Sequence, residues 1–241
     1  MTQQAGAPAT SAPAADEWGA RGPRYPLRKR LVVVELLLLP ALPVALVGFL
    51  LWGFAGLFAG LVLAIVSLLV WALVLRSPLR RLQPRPARPG EADRFQNLVE
   101  GLSRDLGAAP PKLLVIERDE PNAYVARRLG SEYVGVTTGL LATYPRTEQE
   151  AVAAHCVVRL RSTPVSFSTM AAATGKWAYA HAPVVGDADD LAAASVTRYP
   201  PALAAAIAKA GDSMDEAPLA FSSRAACHRT AEVRCDALSD L

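Results

Sequence analysis

The most uniform hydrophobic stretch of the chain covers residues 31–75, where Glu35 is the only ionisable residue. A transmembrane helix needs ~20 apolar residues to cross the hydrocarbon core of a bilayer. The stretch is too long for one such helix, and it matches two helices joined by a very tight turn. Glycines are frequent near its middle, so we expect the turn within residues 52–60. The pattern therefore predicts a two-helix transmembrane hairpin over residues 31–75.

After the hairpin, short segments of helical and strand periodicity follow one another. Apolar residues at helical spacing predict an amphipathic helix over residues 91–106. Thr147 and Glu150 match a T-x-x-E capping box, which predicts a helix over residues 147–161 with Thr147 as its N-cap. Residues 162–185 are too polar for a third span, and we expect a loop with a broken helix there. The fold class is therefore mostly α with a small β-sheet (α+β), with strands at 112–117 and 133–138 and further helices at 187–197, 200–210 and 230–238.

Composition divides the chain into four parts. Residues 1–30 are rich in Ala, Pro, Ser and Thr and end in a basic flank, which is typical of a disordered tail. The hairpin occupies residues 31–75, and residues 76–90 form a basic linker punctuated by prolines. Residues 91–241 have the mixed polar and apolar pattern of a globular domain.

The distribution of charge predicts how the hairpin is oriented. Arg and Lys cluster at residues 21–30 and 76–88, directly outside the two spans, and the connecting turn carries no charge. Because basic flanks stay on the cytoplasmic side, we expect a multi-pass protein of the cell (plasma) membrane whose N-terminus and globular domain are both cytoplasmic. The net charge of +3 lies mostly in these flanks. It favours contact with the lipid bilayer and does not indicate nucleic-acid binding, and the oligomeric state stays open.

Candidate chemistry lies on the helix predicted over residues 147–161. His155 and Arg159 share one face of that helix, since they are four residues apart. In zinc peptidases the same face carries H-E-x-x-H, in which two imidazoles bind one metal ion and the Glu activates the metal-bound water. Here the pentapeptide reads His-Cys-Val-Val-Arg. A single histidine on a helix is typically structural, so the surrounding segments decide the interpretation.

Several short segments resemble one family in the correct order. They are PNAY at 121–124, VGVTTGLL at 134–141, TEQEAVAAH at 147–155, RYPPAL at 198–203 and an H-x-x-x-E-x-R pattern at 228–234. In this arrangement residues 91–241 resemble the HtpX-like integral-membrane zinc metallopeptidases, which are relatives of the CAAX prenyl proteases. The resemblance implies a zincin-like remnant fold behind a membrane anchor, and it implies zinc as the cofactor of the family.

The resemblance fails at the positions that carry the family's chemistry. Its water-activating Glu falls on Cys156, its second zinc-binding His on Arg159 and its third ligand, a Glu, on Gly186. His155 remains, together with Asp190, which matches an Asp that orients a ligand His in the family. A catalytic zinc site needs about three protein ligands and an open position for water. We therefore predict no bound metal, no catalytic residue and a metallopeptidase-like pseudoenzyme.

Two other chemistries are not favoured by the remaining His and Cys residues. The three cysteines form an odd set in a domain predicted to be cytoplasmic, which indicates free thiols. Neither they nor His181 and His228 show C-x-x-C or H-x-x-x-H spacing, so a rebuilt metal site is not expected. Cys156 directly follows His155, and adjacent helical residues point in different directions, which is poor geometry for a nucleophile and its base. We interpret Cys156 as a small buried residue.

The predicted function is binding without hydrolysis. As a membrane-anchored pseudopeptidase, the protein is expected to bind a peptide or a membrane-protein partner in the former substrate groove. Asn122 and Ala123 are the candidate groove residues, because extended peptides add to exposed strands, and a plain structural turn is the other interpretation of this pair. The alternative function is an active zinc-dependent membrane endopeptidase with non-standard ligands. A paralogue without a selected role is a third interpretation.

The positive charge of Arg159 suggests a structural hypothesis. An emptied zinc site leaves carboxylates that need a cation, and an arginine side chain can supply it. We expect Arg159 to pair with Asp187, Asp189 or Asp190. The other interpretation is that Arg159 extends into solvent beside Arg161.

Overall fold

The structure is a computed structural model and describes a defined set of residues. These are residues 46–47, 49–50, 52–74, 77–128, 131–162, 165–174, 179, 182, 184–210 and 217–241. The predicted tail at residues 1–30 and most of the first predicted span lie outside this set. His181 also lies outside it.

The second predicted span is a single helix, α1, which covers Phe54–Val74. The turn before it lies at Gly53, whose φ of +60° is a left-handed value that favours glycine. The N–H of Gly53 donates to the carbonyl of Phe49 at 2.7 Å. This turn falls inside the predicted region, residues 52–60. Over the residues whose side chains the structure describes, no helix is long and apolar enough to cross a membrane.

The globular part contains one small sheet. Its strands are β1 (Lys112–Ile116), β2 (Ala123–Arg128) and β3 (Ser131–Thr137), in the spatial order β1-β3-β2. β1 runs parallel to β3, and β2 runs antiparallel to it. The two strands predicted from sequence are present, and β2 is an additional strand that the pattern did not predict. Residues 123–126 are all buried, so β2 lacks the alternation of polar and apolar positions that identifies a strand.

The five helices predicted for residues 91–241 are present in the predicted order, two short helices over Ser77–Arg81 and Thr138–Thr143 were not predicted, and the segment predicted as a loop with a broken helix contains the helix Val165–Thr174. In the described part of the chain the helices after α1 are α2 (Ser77–Arg81), α3 (Asp93–Asp105), α4 (Thr138–Thr143), α5 (Arg146–Ser162), α6 (Val165–Thr174), α7 (Asp187–Thr197), α8 (Pro200–Lys209), a 3₁₀ turn (Ala217–Leu219) and α9 (Ala231–Ser239). The mostly α fold with a small sheet is therefore confirmed.

The predicted capping box of α5 is wrong. The helix begins at Arg146, so Thr147 lies inside its first turn instead of at the N-cap. The reason is that the carbonyl of Pro145 already accepts a hydrogen bond from the N–H of Gln149 at 3.0 Å.

The segment predicted as a linker, residues 76–90, is bound to the domain. Arg85 and Val115 of β1 exchange two backbone hydrogen bonds, at 2.9 and 2.8 Å. The Arg85 guanidinium also donates to Glu91 and Glu117, at 2.7 Å in each case. The hydrogen bond from Arg85 lowers the pKa of Glu91 to about 2. The chain between α1 and α3 is thus held against the sheet edge.

Helix α5 is the centre of the domain. Residues 151–160 are all buried, and α5 contacts α3, α7, α8 and β2. A helix that is buried on every side cannot expose a polar residue to water, so each polar side chain on it must find partners inside the protein. The candidate site residues of the sequence lie on this helix.

Gly139 in α4 marks the closest approach between two backbone segments. A Cβ at this position would lie 1.9 Å from the carbonyl oxygen of Asp119. The N–H of Gly139 also donates to the carbonyl of Arg118 at 2.8 Å. The segment after β1 therefore passes directly over the start of α4.

We expect Gly139→Ala to lower the free energy of unfolding by about 1–3 kcal/mol, because the backbone at Asp119 must shift to admit the methyl group. The matched control is Gly101→Ala in α3, where an added Cβ meets no atom within 4 Å. That control should be stabilising by up to about 1 kcal/mol, since alanine favours helix. Thermal unfolding of the purified full chain measures both variants, and an equal response would contradict the close approach.

Candidate functional site

Three helices bring charged side chains together inside the domain. α5 supplies His155 and Arg159, α7 supplies Asp190 and α9 supplies Arg234, and each of these residues is at most 1% exposed. We call these four residues the polar centre. Ionised groups at this depth are unfavourable unless they are paired or hydrogen-bonded.

The carboxylate of Asp190 joins three members of the polar centre. Arg234 donates to it through Nε at 2.7 Å and through a terminal nitrogen at 2.8 Å, which is a two-point contact. Nδ1 of His155 lies 2.9 Å from the same carboxylate, at ion-pair distance but without the alignment of a straight hydrogen bond. Burial alone would raise the pKa of Asp190, but the contacts with Arg234 and His155 hold it below its ordinary value.

His155 has one ring nitrogen facing Asp190 and one without a hydrogen-bond partner among the described residues, Nε2. Its ring meets the ring of Phe221 edge to face, with the centroids 4.9 Å apart. The resemblance identifies this histidine as the one zinc-ligand position that the sequence retains, and Asp190 is the carboxylate that contacts its ring.

Arg159 is buried and bonded to backbone oxygens. Its terminal nitrogens donate to the carbonyls of Pro218 at 2.5 Å, Ala220 at 2.6 Å and Leu219 at 3.3 Å. Burial lowers the pKa of Arg159, and the charge of Asp189 acts in the opposite direction. The side chain is 0% exposed, so the interpretation that it extends into solvent is wrong.

The expected carboxylate partner of Arg159 is only partly found. Asp190 is taken by Arg234 and His155, because these two side chains reach it from α9 and α5 at hydrogen-bond or ion-pair distance. The side chain of Asp187 lies outside the described set. Asp189 contributes attraction to Arg159, while the direct hydrogen bonds come from the three carbonyls.

Cys156, which the resemblance aligns with the family's catalytic Glu, is 1% exposed. Burial raises the pKa of its thiol to about 12. A thiol with this pKa stays protonated at neutral pH, and it is the thiolate that acts as a nucleophile or metal ligand. The interpretation of Cys156 as a small buried residue agrees with this environment.

The resemblance aligns Gly186 with the family's third ligand, and the backbone at Gly186 is unfavourable for any other residue. Its φ is +147°, and an added Cβ would lie 2.9 Å from Cγ and 3.1 Å from Cβ of Arg229. Gly186 also begins α7, since its carbonyl accepts the N–H of Asp189 at 2.9 Å. A glutamate at this position would need both a strained backbone and a displaced Arg229 side chain.

The donor set of the polar centre does not fit a catalytic zinc ion. Such a site needs about three ligands with free lone pairs, and a guanidinium has donors only. Of the three ligand positions, His155 alone carries a ligand, because Arg159 brings a fixed cation and Gly186 brings no side chain. In the part of the chain that is described, no group of three His, Cys, Asp or Glu residues is arranged to hold a metal ion.

Asn122 and Ala123 are buried, at 1% and 0% exposure. The side-chain amide of Asn122 donates to the carbonyl of Ser222 at 2.8 Å, and the carbonyl of Ala123 accepts the N–H of Phe221 at 2.7 Å. Asn122 is also tied to Thr137 at the end of β3, whose hydroxyl accepts its N–H at 2.9 Å. Whether these residues line a groove stays a prediction, and any peptide that reached them would have to displace residues 221–222.

Two residues of the site were not singled out as functional from the sequence. Arg234 binds Asp190, and Nε2 of His228 lies 2.7 Å from the carbonyl oxygen of Ala217. Both belong to the H-x-x-x-E-x-R pattern, so their spacing was the available signal. What the spacing did not contain is the partner of each, because those partners are distant in the chain.

The chain is similar to a peptidase family and to proteins named as protease HtpX homologs. The family model described as Peptidase family M48 matches residues 89–211. A protease HtpX homolog of Thermococcus sibiricus is 34% identical over 83 residues, covering 34% of this chain and 28% of the relative. One of Desulfatibacillum aliphaticivorans is 29% identical over 129 residues, covering 53% and 42%. One of Streptococcus agalactiae is 30% identical over 149 residues, covering 59% and 49%.

The match to these relatives is partial, since it spans less than half the length of each of them. Among solved structures, the crystal structure of S. mikatae Ste24p aligns with a TM-score of 0.44 at 16% identity. That alignment covers 93% of this chain and 66% of the other. A score at this level does not establish a common fold.

Replacing Asp190 tests the polar centre. We expect Asp190→Asn to lower the free energy of unfolding by about 3–5 kcal/mol, because it leaves the buried guanidinium of Arg234 without its carboxylate. The control is Asp236→Asn on the exposed face of α9, which should change stability by no more than about 0.5 kcal/mol. Thermal unfolding of the full chain measures both variants. A small effect at Asp190 would show that the charge pair is not buried.

His228 gives a testable pH dependence. Burial, followed by the positive charge of Arg159, lowers its pKa to about 3, whereas an unfolded histidine titrates near ~6.5. Between these values the unfolded state binds a proton that the folded state does not. The free energy of unfolding should therefore fall by about 1.4 kcal/mol per pH unit as the pH is lowered from about 6 to 4.

The variant His228→Gln keeps an N–H donor for the carbonyl of Ala217 and cannot take up a proton. Over the same pH range, its free energy of unfolding should fall less steeply than that of wild type. The two slopes should differ by about 1.4 kcal/mol per pH unit, which is the contribution of one proton. Unfolding curves of wild type and variant across this range give the comparison. Parallel pH profiles would mean that His228 titrates normally in the folded protein.

Proposed function

The chain belongs to peptidase family M48, and from that premise we propose that it is a membrane-anchored member that has lost zinc-dependent hydrolysis and acts by binding a peptide or membrane-protein partner. The observation that carries the proposal is the burial and the hydrogen bonding of the Arg159 side chain. It is fully buried, and its terminal nitrogens are hydrogen-bonded to three backbone carbonyls. The guanidinium is thus fixed by the backbone, at the position that the resemblance assigns to the family's second zinc-binding histidine.

A buried arginine opposes zinc for two physical reasons. It stays protonated over the whole physiological range, so it repels a divalent cation at short distance. It also has no lone pair with which to replace the missing histidine. Any zinc ion near His155 would have to overcome the repulsion and form a site with too few ligands.

The neighbouring substitutions support the same proposal. A family-type water activation requires a carboxylate beside the first histidine, and Cys156 offers a thiol whose pKa is raised to about 12 by burial. A third ligand at position 186 would require a side chain where the φ of +147° and the side chain of Arg229 leave no room. Restoring zinc chemistry would therefore take changes at three separate positions.

Membrane anchorage is the second part of the proposal, and the sequence supports it through the apolar stretch at residues 31–75. In α1, Phe54, Phe58 and Leu69 are each at least 60% exposed, which is unusual for large apolar side chains in water. The basic flanks favour a cytoplasmic position for both ends of the hairpin in the cell membrane. A protein held in this way could recruit a peptide or a membrane-protein partner at the bilayer surface.

Zinc content separates the proposal from the alternative, an active endopeptidase with unusual ligands. We expect the detergent-purified full chain to retain far less than one zinc ion per chain, as measured by elemental analysis after dialysis. It should also show no proteolysis that a chelator abolishes. One tightly held zinc ion per chain, together with chelator-sensitive proteolysis, would overturn the proposal.

A substitution at Arg159 sharpens this test. Arg159→His restores two histidines at the family's spacing and removes the fixed charge, so zinc retention should rise above the wild-type level. The matched control is Arg146→His, which alters an exposed arginine on the same helix. Equal zinc retention in both variants would show that Arg159 is not what keeps the metal out.

A further inference from the structure

Residues 217–222 form a buried segment that runs between the polar centre and the sheet. We call it the inner segment. It begins with the 3₁₀ turn Ala217–Leu219, and all of its residues are buried. It contains no charged side chain. Its sequence is Ala-Pro-Leu-Ala-Phe-Ser, which by itself indicates only core packing. Its backbone, however, forms hydrogen bonds with a strand edge and with polar side chains.

The inner segment lies on the outer edge of β2. In the order β1-β3-β2, the second strand has one edge that β3 does not cover. Ala220 forms an antiparallel bridge with Tyr124, and the N–H of Phe221 donates to the carbonyl of Ala123 at 2.7 Å. An extended peptide that adds to an exposed strand makes contacts of this kind. Residues 220–221 of the inner segment therefore hold the place of an added strand, directly after the 3₁₀ turn.

Side chains of the site bind the remaining backbone groups of the inner segment. Arg159 donates to the carbonyls of Pro218, Leu219 and Ala220. Arg234 donates to the carbonyl of Phe221 at 2.9 Å. At the two ends, Nε2 of His228 contacts the carbonyl of Ala217 at 2.7 Å and Asn122 donates to that of Ser222 at 2.8 Å. Every carbonyl of the inner segment is thus bound by a side chain.

Phe221 anchors the inner segment through its side chain. Its ring meets that of His155 edge to face at 4.9 Å, and the guanidinium carbon of Arg234 lies 5.1 Å from its centroid. An aromatic ring between an imidazole and a cation is a specific environment as well as an apolar one. A groove can recognise an extended peptide through hydrogen bonds to its backbone and through a pocket for one aromatic side chain.

We infer that the inner segment is the resident ligand of a peptide groove beside β2, held there by Arg159 in place of a metal ion. The ligand class of the groove is an uncharged extended peptide with an aromatic residue at the position of Phe221. A partner peptide of this class reaches β2 only when the inner segment leaves. The inference rests on the proposed function for the meaning of the groove, and it names the groove's occupant.

Hydrogen exchange of the full chain in detergent, followed by mass spectrometry, tests the role of Arg159. Arg159→Leu removes the donors to three carbonyls, so exchange in peptides covering residues 217–223 should rise at least ~10-fold, as it would for backbone released from protection. Peptides covering β3 should stay as protected as in wild type. The matched control, Arg146→Leu, removes an exposed arginine from the same helix and should leave both regions unchanged.

A second measurement tests whether the released edge is a groove. A fluorescent synthetic peptide with the sequence of residues 217–223 should bind the variant Phe221→Ala saturably, because this variant loses the resident aromatic anchor and keeps the Arg159 donors, and the peptide should not bind wild type. A variant peptide with alanine in place of Phe221 should bind more weakly. If Arg159→Leu does not fold, Arg159→Lys replaces it in the exchange measurement, because lysine keeps the charge but has no two-point donor geometry.

Three results would overturn the inference. One is an inner segment that stays protected in the Arg159 variant, and another is an equal rise of exchange in β3, which would indicate general unfolding. The third is a released inner segment in the Arg159 variant with no binding of the peptide to Phe221→Ala, which would make the segment a structural support only. None of these depends on zinc content, so the inference and the proposed function can fail separately.

Discussion

The buried guanidinium groups of Arg159 and Arg234 set the main constraint on this domain, because each must be surrounded by oxygen atoms inside the protein. Arg234 obtains them from the carboxylate of Asp190 and the carbonyl of Phe221. Arg159 obtains them from the three carbonyls of residues 218–220. The inner segment therefore has to pass both arginines. That route brings it to the outer edge of β2, where its backbone pairs with the strand.

A zinc ion and a guanidinium can both face carbonyl oxygens, but they differ in whether water and substrate can exchange at the site. A catalytic zinc ion keeps an open position at which water and substrate exchange. Arg159 has no such position, since it is covalently part of α5 and its terminal nitrogens already bind the chain's own backbone. Under the proposed function, the charge is retained while the exchange of water and substrate is lost. Under the same proposal, this difference explains how a site can bind peptide carbonyls without a means of cleaving them.

The side-chain contacts that join α5, α7 and α9 do not use the side chains at the positions that the resemblance identifies as substituted. Asp190 still joins α5, α7 and α9 through His155 and Arg234, and the residues of α5 from 151 to 160 are buried on all sides. Substitutions at Cys156 and Gly186 add no bulk beside these contacts, because both are small. Arg159 is the single large change, and its side chain is accommodated by backbone carbonyls. The proposed loss of the family's chemistry is thus compatible with a well-packed domain.

Much of this protein follows from local patterns in the sequence. Periodicity and prolines located α7 at Asp187–Thr197 and the start of α8 at Pro200, because local spacing and backbone geometry decide such boundaries. The order of short segments indicated the family, and the substitutions at three positions indicated the loss of zinc ligands. The sequence did not indicate β2, because its buried residues lack the alternation of a half-exposed strand.

The partners of the buried charges were decided only by the tertiary structure. Arg159 was expected to pair with Asp187, Asp189 or Asp190, yet its hydrogen bonds go to backbone carbonyls near residue 219. Every residue has the same backbone carbonyl, so no pattern of side chains can identify which carbonyls accept hydrogen bonds from a buried arginine. The hydrogen-bond partners of Arg159 are set only when α5, β2 and the inner segment pack against one another. The sequence determined which groups are charged, and the packing determined which oxygen atoms they meet.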